Sequence, residues 1–512
     1  MALIVRGSKA IYALVVVLAV MLGWWWLDGG ILPDSDQSAA AGEYRFEPGK
    51  CFFRIPAEEQ ITCGRLLTPA SSGAFSLPVV ILHDTSAQRR DDPLLYLQGG
   101  PGAASGMQGD ALRYWLGWRD RLAAGRDLVF MDPRGTGGSL PALTCTAFDR
   151  LSLRILKDNV DIAGEYRQGD ETMAACFQQA RGKGFDPAFY GTRQSARDIQ
   201  GLIESLPQYR QWNLYGVSYG SRLAIMAALD YPAIKTLVLD SVYPPGRGRL
   251  EDWPALLQQS ISRFGDWCDN NPGCRQEHPQ LFMSRLLAVL QQLQAHPVDL
   301  IVDRWDGEWP VALVLNDHRF LSFVFYSLYD ASSWLDIVGA MTLIEESGGS
   351  YRRELRQQLG QLMQSLVNQS ISPDFSAMVF DAVDCQDQGE FQPGVYRQQV
   401  ADNPELAAYT RGLEDFQNCN GWSNTPDAAL NADAIPRQPG LLLSGDLDPI
   451  TPPEWAAELH QQWPESEWLL FADTGHAVIS SHTCVMSAIA LYLDNPEAGF
   501  QGCKAEGVIK NR

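Results

Sequence analysis

Short runs of apolar residues recur along the chain and predict the strands of a sheet. The runs are continuous rather than alternating in polarity, which is typical of strands buried on both faces. They lie at 79–83, 94–98, 128–131, 212–215, 237–239, 441–443 and 468–471. Stretches with helical spacing lie at 195–206, 221–230, 453–463 and 483–493. This alternation predicts an α/β fold with a mainly parallel sheet and flanking helices.

The alternation is interrupted between residues 249 and 437, where helical patterns dominate. Helices are predicted there at 253–267, 281–295, 335–346 and 351–367. Because the strand pattern resumes afterwards, we interpret 249–437 as a large helical cap inserted into an α/β core formed by 45–248 and 438–512. Residues 28–44 are rich in Gly, Ser, Ala and Asp, and are predicted to be a linker.

The first 27 residues have the pattern of a membrane anchor or signal segment. Arg6 and Lys9 precede an uncharged run at 10–27, which predicts a cytoplasmic N-terminus and export of the rest. The run is long for a signal core and just long enough to span a bilayer. Small residues at 39–41 offer a cleavage site, so a retained inner-membrane anchor and a cleaved signal both remain open. Either outcome predicts a protein on the periplasmic or extracellular side.

Charge and cysteine content agree with an exported globular protein. The 512-residue chain has a formal net charge of −21, which disfavours binding to nucleic acid. An even number of cysteines, ten, predicts disulfides in an exported chain, although the connectivity stays open. Sequential pairing is the simplest hypothesis: Cys51–Cys63, Cys145–Cys176, Cys268–Cys274, Cys385–Cys419 and Cys484–Cys503. The spacing pattern of a metal site is missing from the sequence, so no metal and no cofactor is expected.

Ser218 is the candidate nucleophile, because residues 216–220 fit the pattern G-x-S-x-G. Such a serine lies on a sharp, strained turn, and glycines two positions away on either side prevent clashes. The pattern also arises by chance. Here, however, a buried-type strand precedes it and a predicted helix follows, which is the setting that the motif requires.

His476 is the candidate base, since a serine hydroxyl needs a histidine to take its proton. It follows the last predicted strand, whereas its nearest rival, His482, lies six residues further on, within or beside a helix. A carboxylate must orient the histidine. Asp446 and Asp448 both follow the strand at 441–443, and we favour Asp448 because the nearby prolines suit a loop that crosses the sheet edge. Asp446 then acts as a helper or caps the loop.

The glycine-rich loop at 99–102 follows the strand at 94–98. Glycines at a strand end let backbone N–H groups approach a substrate oxygen. An oxyanion hole then combines the N–H of Gly100 with that of Tyr219, the residue after the nucleophile. Without Ser218 downstream, a plain turn would be the better interpretation.

Taken together, these segments resemble the exported prolyl and tripeptidyl aminopeptidase-like serine peptidases with the α/β-hydrolase fold. The matching segments are LLYLQGGPG, MDPRGTGGS, YGTRQSARD, LYGVSYGSRLA, LVLDSVYPP, LLLSGDLDPITP and DTGH, with the pair Cys484 and Cys503. The resemblance implies a helical cap inserted before the acid, with Ser218 as nucleophile, Asp448 as acid and His476 as base. Gln98 departs from it, since many relatives carry His there.

Two more segments resemble that family. The loop from Asp132 to Gly135 is interpreted as structural, with substrate contact by Arg134 as the alternative. An aminopeptidase needs a carboxylate to bind the α-ammonium group of its substrate. In the cap, Asp387 is the first candidate for this role, and Asp384 and Glu390 are the next candidates. A solvated acidic loop is the alternative for these three residues.

The sequence therefore predicts a serine exopeptidase that removes an N-terminal residue or a short peptide and works on peptides or small esters. A carboxylic-ester hydrolase with the same machinery is the first alternative, because a fold does not fix a substrate. A non-catalytic envelope binding protein is the second, and the full set of serine, acid and histidine counts against it.

Overall fold

The computed structural model describes residues 43–107, 111–276, 278–370, 374–388, 391–413, 430, 434–503 and 508–510. The predicted membrane segment, the linker up to residue 42, Glu390 and Cys419 lie outside these ranges. Among the described residues, no helix is both long enough and apolar enough to span a bilayer.

A ten-stranded sheet and a two-stranded hairpin organise the described chain. The strands are β1 Arg45–Gly49, β2 Ile61–Leu67, β3 Ser76–Leu82, β4 Leu94–Leu97, β5 Leu128–Met131, β6 Trp212–Val217, β7 Ile234–Asp240, β8 Val298–Val302, β9 Val311–Leu315, β10 Gly440–Gly445, β11 Ser466–Phe471 and β12 Val508–Lys510. All seven predicted strands are present. The edge strands β1 and β12, strand β2 and the hairpin β8–β9 were not predicted.

The large sheet has the order β1-β2-β3-β5-β4-β6-β7-β10-β11-β12. Its six central strands, from β5 to β11 in that order, run parallel to one another. The strands at both edges pair antiparallel. This arrangement confirms the predicted α/β fold with a mainly parallel sheet.

Both faces of the sheet are buried, which explains the continuous apolar runs of the sequence. In β4, Leu95 and Leu97 belong to one hydrophobic cluster, and Leu94 and Tyr96 belong to the cluster on the other face. Each cluster includes helices that pack on that face of the sheet.

The α-helices connect and cover the strands. They are α1 Ala111–Trp118, α2 Thr146–Arg154, α3 Ile162–Arg181, α4 Thr192–Ser205, α5 Tyr219–Ala228, α6 Trp253–Asn270, α7 Pro272–Arg275, α8 Phe282–Ala295, α9 Asp317–Ser327, α10 Trp334–Ser347, α11 Arg353–Leu362, α12 Gln364–Gln369, α13 Ala377–Gln388, α14 Pro393–Asp402, α15 Pro453–Gln462, α16 Val478–Ser481 and α17 Thr483–Asp494. The helix predicted at 351–367 is two helices, because Met363 leaves the helical conformation.

The segment predicted as a cap is mostly helical, and it also contains the hairpin β8–β9. Most of its helices share one hydrophobic cluster, which includes Phe264, Leu286 and Val324. Helix α13 is different, since Met378 and Val379 belong to the cluster that covers the main sheet. Residues 44–512 form one compact unit. The boundaries of the cap at 249 and 437 therefore remain a prediction.

Disulfides connect four of the predicted cysteine pairs: Cys51–Cys63, Cys145–Cys176, Cys268–Cys274 and Cys484–Cys503. Cys385 is also disulfide-bonded. Disulfides persist in oxidising compartments, so these bonds indicate an exported protein.

Candidate active site

The predicted site residues follow the carboxyl ends of neighbouring parallel strands. Gly100 comes after β4, Ser218 after β6, Asp448 after β10 and His476 after β11. Ligands of open α/β sheets bind outside this edge. The fold therefore brings the candidate residues, which are far apart in sequence, to one edge of the sheet.

Ser218 lies in a strained turn between β6 and α5, with φ 56° and ψ −123°. The two glycines of the motif are required for steric reasons. A Cβ atom on Gly216 would lie 2.3 Å from the carbonyl oxygen of Gly220, and one on Gly220 would lie 2.1 Å from the carbonyl oxygen of Leu97. Only glycine fits at these positions, so the helix can start directly beneath the serine.

Asp448 and His476 form a hydrogen-bonded pair. The Nδ1 atom of His476 lies 2.9 Å from Oδ2 of Asp448 and 3.1 Å from Oδ1. The Asp448 carboxylate is fully buried and also accepts bonds from Thr451 N (2.9 Å), Thr451 Oγ1 (2.7 Å) and Ile450 N (3.0 Å). A proton on Nδ1 that bonds to this carboxylate leaves Nε2 free to accept another.

The two members of this pair shift each other's pKa. Burial alone would raise the pKa of Asp448, but the charge of His476 and the hydrogen bonds from His476 and Thr451 outweigh it and lower the pKa. Burial alone would lower the pKa of His476, and the charge and hydrogen bond of Asp448 raise it instead. Asp448 thus stays ionised while His476 gains a proton.

The backbone of the loop that carries the histidine is held at four consecutive positions. Of the N–H groups of residues 476–479, the first donates to Tyr329 O (2.9 Å) and the second to Ser241 Oγ (2.8 Å). The third and fourth donate to the two carboxylate oxygens of Asp240, at 2.8 and 3.0 Å. The sequence reasoning assigned no role to Tyr329 or Asp240. The signal for Asp240 was a charged residue at the end of a buried strand.

Asp446 and His482, the alternative acid and the alternative histidine, both contact Thr474. Asp446 Oδ1 accepts the N–H of Thr474 at 3.1 Å, which agrees with a loop-capping role. The hydroxyl of Thr474 contacts Nε2 of His482 at 2.7 Å. Asp448 is therefore bonded to His476, and Asp446 shares its partner Thr474 with His482.

The glycine loop after β4 lies against the serine. A Cβ atom on Gly99 would be 3.1 Å from Cβ of Ser218 and 3.6 Å from its Oγ. In the described part of the chain, the N–H groups of Gly100 and Tyr219 donate to no protein acceptor. Ser218 Oγ makes no hydrogen bond to His476 within those residues. Such bonds are often long in unliganded hydrolases and tighten when substrate binds.

The inserted segment contacts the same glycine loop. Ser376 N donates to Gly102 O at 2.9 Å, and Ala104 N donates to Asp374 O at 2.8 Å. The rings of Phe375 and Phe380 lie beside this contact, and each is more than one-third exposed. An aromatic surface therefore borders the loop on the side of the insertion.

Arg134 has a structural position, as expected. Its guanidinium is buried and donates to both carboxylate oxygens of Asp198, at 2.5 and 2.6 Å, and to the carbonyl oxygens of Ser72 and Phe189. Asp132 accepts the N–H and the hydroxyl of Ser105 at 2.9 and 2.6 Å. Because these bonds occupy its donors, Arg134 is an anchor of the fold rather than a substrate contact.

Asp384 and Asp387 lie on α13 beside the first turn of the nucleophile helix α5. Both oxygens of Asp387 accept bonds from Thr192, and Arg222 Nη1 of α5 lies 3.7 Å from one of them. Asp384 accepts a bond from Gln388 on its own helix. Burial raises the pKa of Asp384 to about 7; Arg222 opposes the rise and Asp387 adds to it.

Comparison with known proteins gives one family match, two relatives and one similar structure. Residues 92–483 match the model of the alpha/beta hydrolase fold family. A tripeptidyl aminopeptidase from Streptomyces lividans is 25% identical over 79% of this chain and 75% of its own length. Serine protease Hip1 from Mycobacterium tuberculosis is 25% identical over 84% of both chains. The structure of a proline iminopeptidase from Mycobacterium smegmatis covers 86% of this chain and 94% of its own, at 13% identity and a TM-score of 0.34.

Proposed function

The chain belongs to the alpha/beta hydrolase fold family and is a serine hydrolase, and on this basis we propose that it is an exopeptidase acting on the N-terminus of peptides. The observation that carries the proposal is the bonded pair of Asp448 and His476, at the same sheet edge as the strained Ser218. The two relatives whose names denote peptidases span most of this chain.

In the proposed mechanism, Ser218 Oγ attacks the carbonyl carbon of the scissile bond and His476 Nε2 takes its proton. Asp448 keeps the ring oriented and stabilises the imidazolium. The N–H groups of Gly100 and Tyr219 hold the oxyanion of the tetrahedral intermediate. His476 then returns the proton to the leaving amine, and water hydrolyses the acyl-enzyme by the same route.

Recognition of a free amino terminus is assigned to the acidic residues of α13. Asp387 was the first candidate from sequence, and its carboxylate is engaged by Thr192 and Arg222. The carboxylate of Asp384 has fewer partners, so we propose that Asp384 receives the α-ammonium group and that Asp387 supports it. Glu390, the third candidate, lies outside the described residues. The relative named tripeptidyl aminopeptidase agrees with this substrate class.

The cellular setting follows from the disulfides, which indicate an exported protein. We propose that residues 10–27 tether it to the inner membrane, with the catalytic part outside the cytoplasm. Fractionation of cells before and after an alkaline carbonate wash tests this. An integral anchor keeps the protein in the membrane pellet, and a cleaved signal releases it with a new N-terminus.

The function is tested by activity on matched substrates. Purified protein is assayed on prolyl, alanyl and tripeptidyl arylamides, on their N-acetylated counterparts and on short acyl esters, with Ser218→Ala as the control. We expect hydrolysis of free-amino arylamides at least about tenfold faster than of acetylated ones, with loss of activity in the control.

Two other results would change the assignment. Hydrolysis of the esters without hydrolysis of any arylamide would identify a carboxylic-ester hydrolase. A fluorophosphonate probe that fails to label Ser218 would contradict both enzymatic functions and favour the non-catalytic binding protein.

A further inference from the structure

We propose that Asp240 is a positioning residue that couples the nucleophile to the base, an inference that rests on the proposed roles of Ser218 and His476. Asp240 is the last residue of β7, which lies between the strand of the nucleophile and the strand of the acid.

Asp240 holds the two catalytic loops through different atoms. Its carbonyl oxygen accepts the N–H of Ser218 at 2.9 Å. Its carboxylate accepts the N–H groups of Val478 and Ile479, which follow His476 in the chain. The path from Ser218 to the histidine loop therefore runs through the backbone and the side chain of one fully buried residue. A shift of Asp240 would change the separation between the serine and the histidine.

Strained backbone conformations surround this connection. Ser218, Ser241 and Ala477 all have positive φ values, of 56°, 56° and 62°. Such conformations cost free energy in residues other than glycine, and they persist only where neighbouring contacts determine them. The hydroxyl of Ser241 accepts the N–H of Ala477 at 2.8 Å, so the Asp240–Ser241 pair holds this strained loop at three consecutive positions.

The carboxylate also acts on His476 through its charge. It accepts a third bond, from the hydroxyl of Tyr215 at 2.7 Å. Burial raises the pKa of Asp240, and the three hydrogen bonds and the charge of His476 oppose that rise because they favour the ionised form. The titratable groups that act on His476 are Asp448 first and Asp240 second, and both raise its pKa. Those that face Asp240 are Tyr215, Tyr96 and His476. Removal of the Asp240 charge should thus lower the pKa of the base.

Asp240→Asn is the sharpest test, because the amide keeps the shape of the side chain but replaces one acceptor with a donor. Its NH₂ group then faces one of the two N–H groups at 478 and 479. The rate of fluorophosphonate labelling of Ser218 is measured from pH 5 to pH 9 in the full-length protein. We expect the labelling rate to fall about 100-fold, as for a displacement of about 1 Å in a catalytic group. We also expect the acidic limb of the pH–rate profile to move to lower pH.

Two further variants separate positioning from general damage. Tyr215→Phe removes a bond to the same carboxylate but leaves both backbone contacts, so labelling should fall less than about threefold. Ser241→Ala releases only the N–H of Ala477, and labelling should fall about tenfold with the acidic limb unmoved. Ser241→Ala also tests the coupling if Asp240→Asn does not fold.

Each outcome has a distinct meaning. Wild-type labelling rates with an unmoved acidic limb in Asp240→Asn, or wild-type rates in Ser241→Ala, would overturn the coupling and leave the proposed function intact. Failure to label the wild-type protein would overturn both. Labelling that follows the expected pattern without any peptidase activity would support the coupling and contradict only the exopeptidase assignment.

Discussion

Asp448 and Asp384 are aspartates close to a cationic side chain, yet their pKa values move in opposite directions. Burial favours a raised pKa for both carboxyls, yet the pKa of Asp448 is lowered and that of Asp384 is raised to about 7. Burial alone therefore does not explain the opposite directions. The difference therefore comes from the partners of each carboxylate.

The partners differ in number and in how they are shared. Asp448 is hydrogen-bonded to His476 and accepts three further hydrogen bonds from Thr451 and Ile450. Asp384 shares Arg222 with Asp387, and that second carboxyl adds to the burial penalty. Asp448 is therefore held in its charged form, whereas Asp384 changes its protonation state near pH 7. The first arrangement suits the orientation of a base, and the second suits exchange of a partner when a cationic substrate binds.

The largest effect on activity is expected when the charge of Asp448 is removed. Asp448→Asn should lower kcat by about 10⁴-fold, because an amide favours the wrong tautomer of His476. The measurement is steady-state kinetics on the best arylamide, together with circular dichroism to confirm folding. A loss below about tenfold would show that the histidine is oriented by another group, and Asp240 would be the first to examine.

The next largest effect is expected on the stability of the fold, to which Asp448 and Asp384 contribute with opposite dependence on pH. The lowered pKa of Asp448 stabilises the fold above pH 4, and this contribution disappears as pH falls through the folded-state pKa. The raised pKa of Asp384 has the opposite sign, since the folded state loses stability as pH rises from about 4 to about 7. At pH 8, Asp384→Asn should therefore raise the free energy of unfolding by up to about 4 kcal/mol, while Asp448→Asn lowers it.

Thermal or urea unfolding of both variants at pH 4 and pH 8 measures these changes. The gain from Asp384→Asn should shrink at pH 4, where the wild-type carboxyl is protonated in the folded state. A gain of equal size at both pH values would show that the stabilisation does not come from removal of a charge.

A smaller effect is expected on substrate preference. The ratio of kcat/KM for a free-amino arylamide to that for its acetylated counterpart cancels the contribution of His476. In the wild-type protein this ratio should rise through about pH 7 as Asp384 ionises, then fall as the substrate amine loses its proton near pH 8. Asp384→Asn should flatten the rise and lower the ratio by about tenfold.

Asp387→Asn is the matched control, because it disturbs Thr192 and Arg222 rather than the group assigned to the substrate. It should slow both substrates together and leave the ratio within about twofold. A change of ratio in Asp387→Asn alone would transfer the substrate role to Asp387.

The smallest effect is expected from the second aspartate of the acid loop. Asp446→Asn retains an oxygen that can accept the N–H of Thr474, so kcat should change less than about threefold. Parallel kinetics of Asp446→Asn and Asp448→Asn provide the comparison. Equal losses in the two variants would contradict the assignment of Asp448 as the acid.

Much of the core could be predicted because its signals are local. Buried strands leave continuous apolar runs, and the motif around Ser218 needs Gly216 and Gly220 at fixed spacing because their backbones touch neighbouring carbonyl groups. The order of serine, acid and histidine follows from the order of the strands. These features depend on few long-range contacts, so they are visible in one sequence.

The contacts that hold the site could not be predicted in the same way. The bonds of Asp240 to residues 478 and 479 join segments more than 230 residues apart, and nothing in the local pattern identifies the partner. The hairpin β8–β9 was missed because buried and exposed residues alternate along β8, so it lacks a continuous apolar run, and because it lies within a helical segment. The hydrogen bonds from Thr192 to Asp387 could not be predicted either, because they depend on how α13 packs against α4.

The backbone of residues 328 and 329 lies directly on the loop of the base. A Cβ atom on Gly475 would come within 2.5 Å of the carbonyl oxygens of both residues, and the carbonyl of Tyr329 also accepts the N–H of His476. A chimaera that grafts a relative's insertion onto this core keeps Ser218, but it keeps this support of His476 only if the backbone at 328 and 329 stays in place. Recombination between relatives is thus constrained at residues 328 and 329, and an engineer who wishes to exchange specificity should leave these two residues with the recipient core.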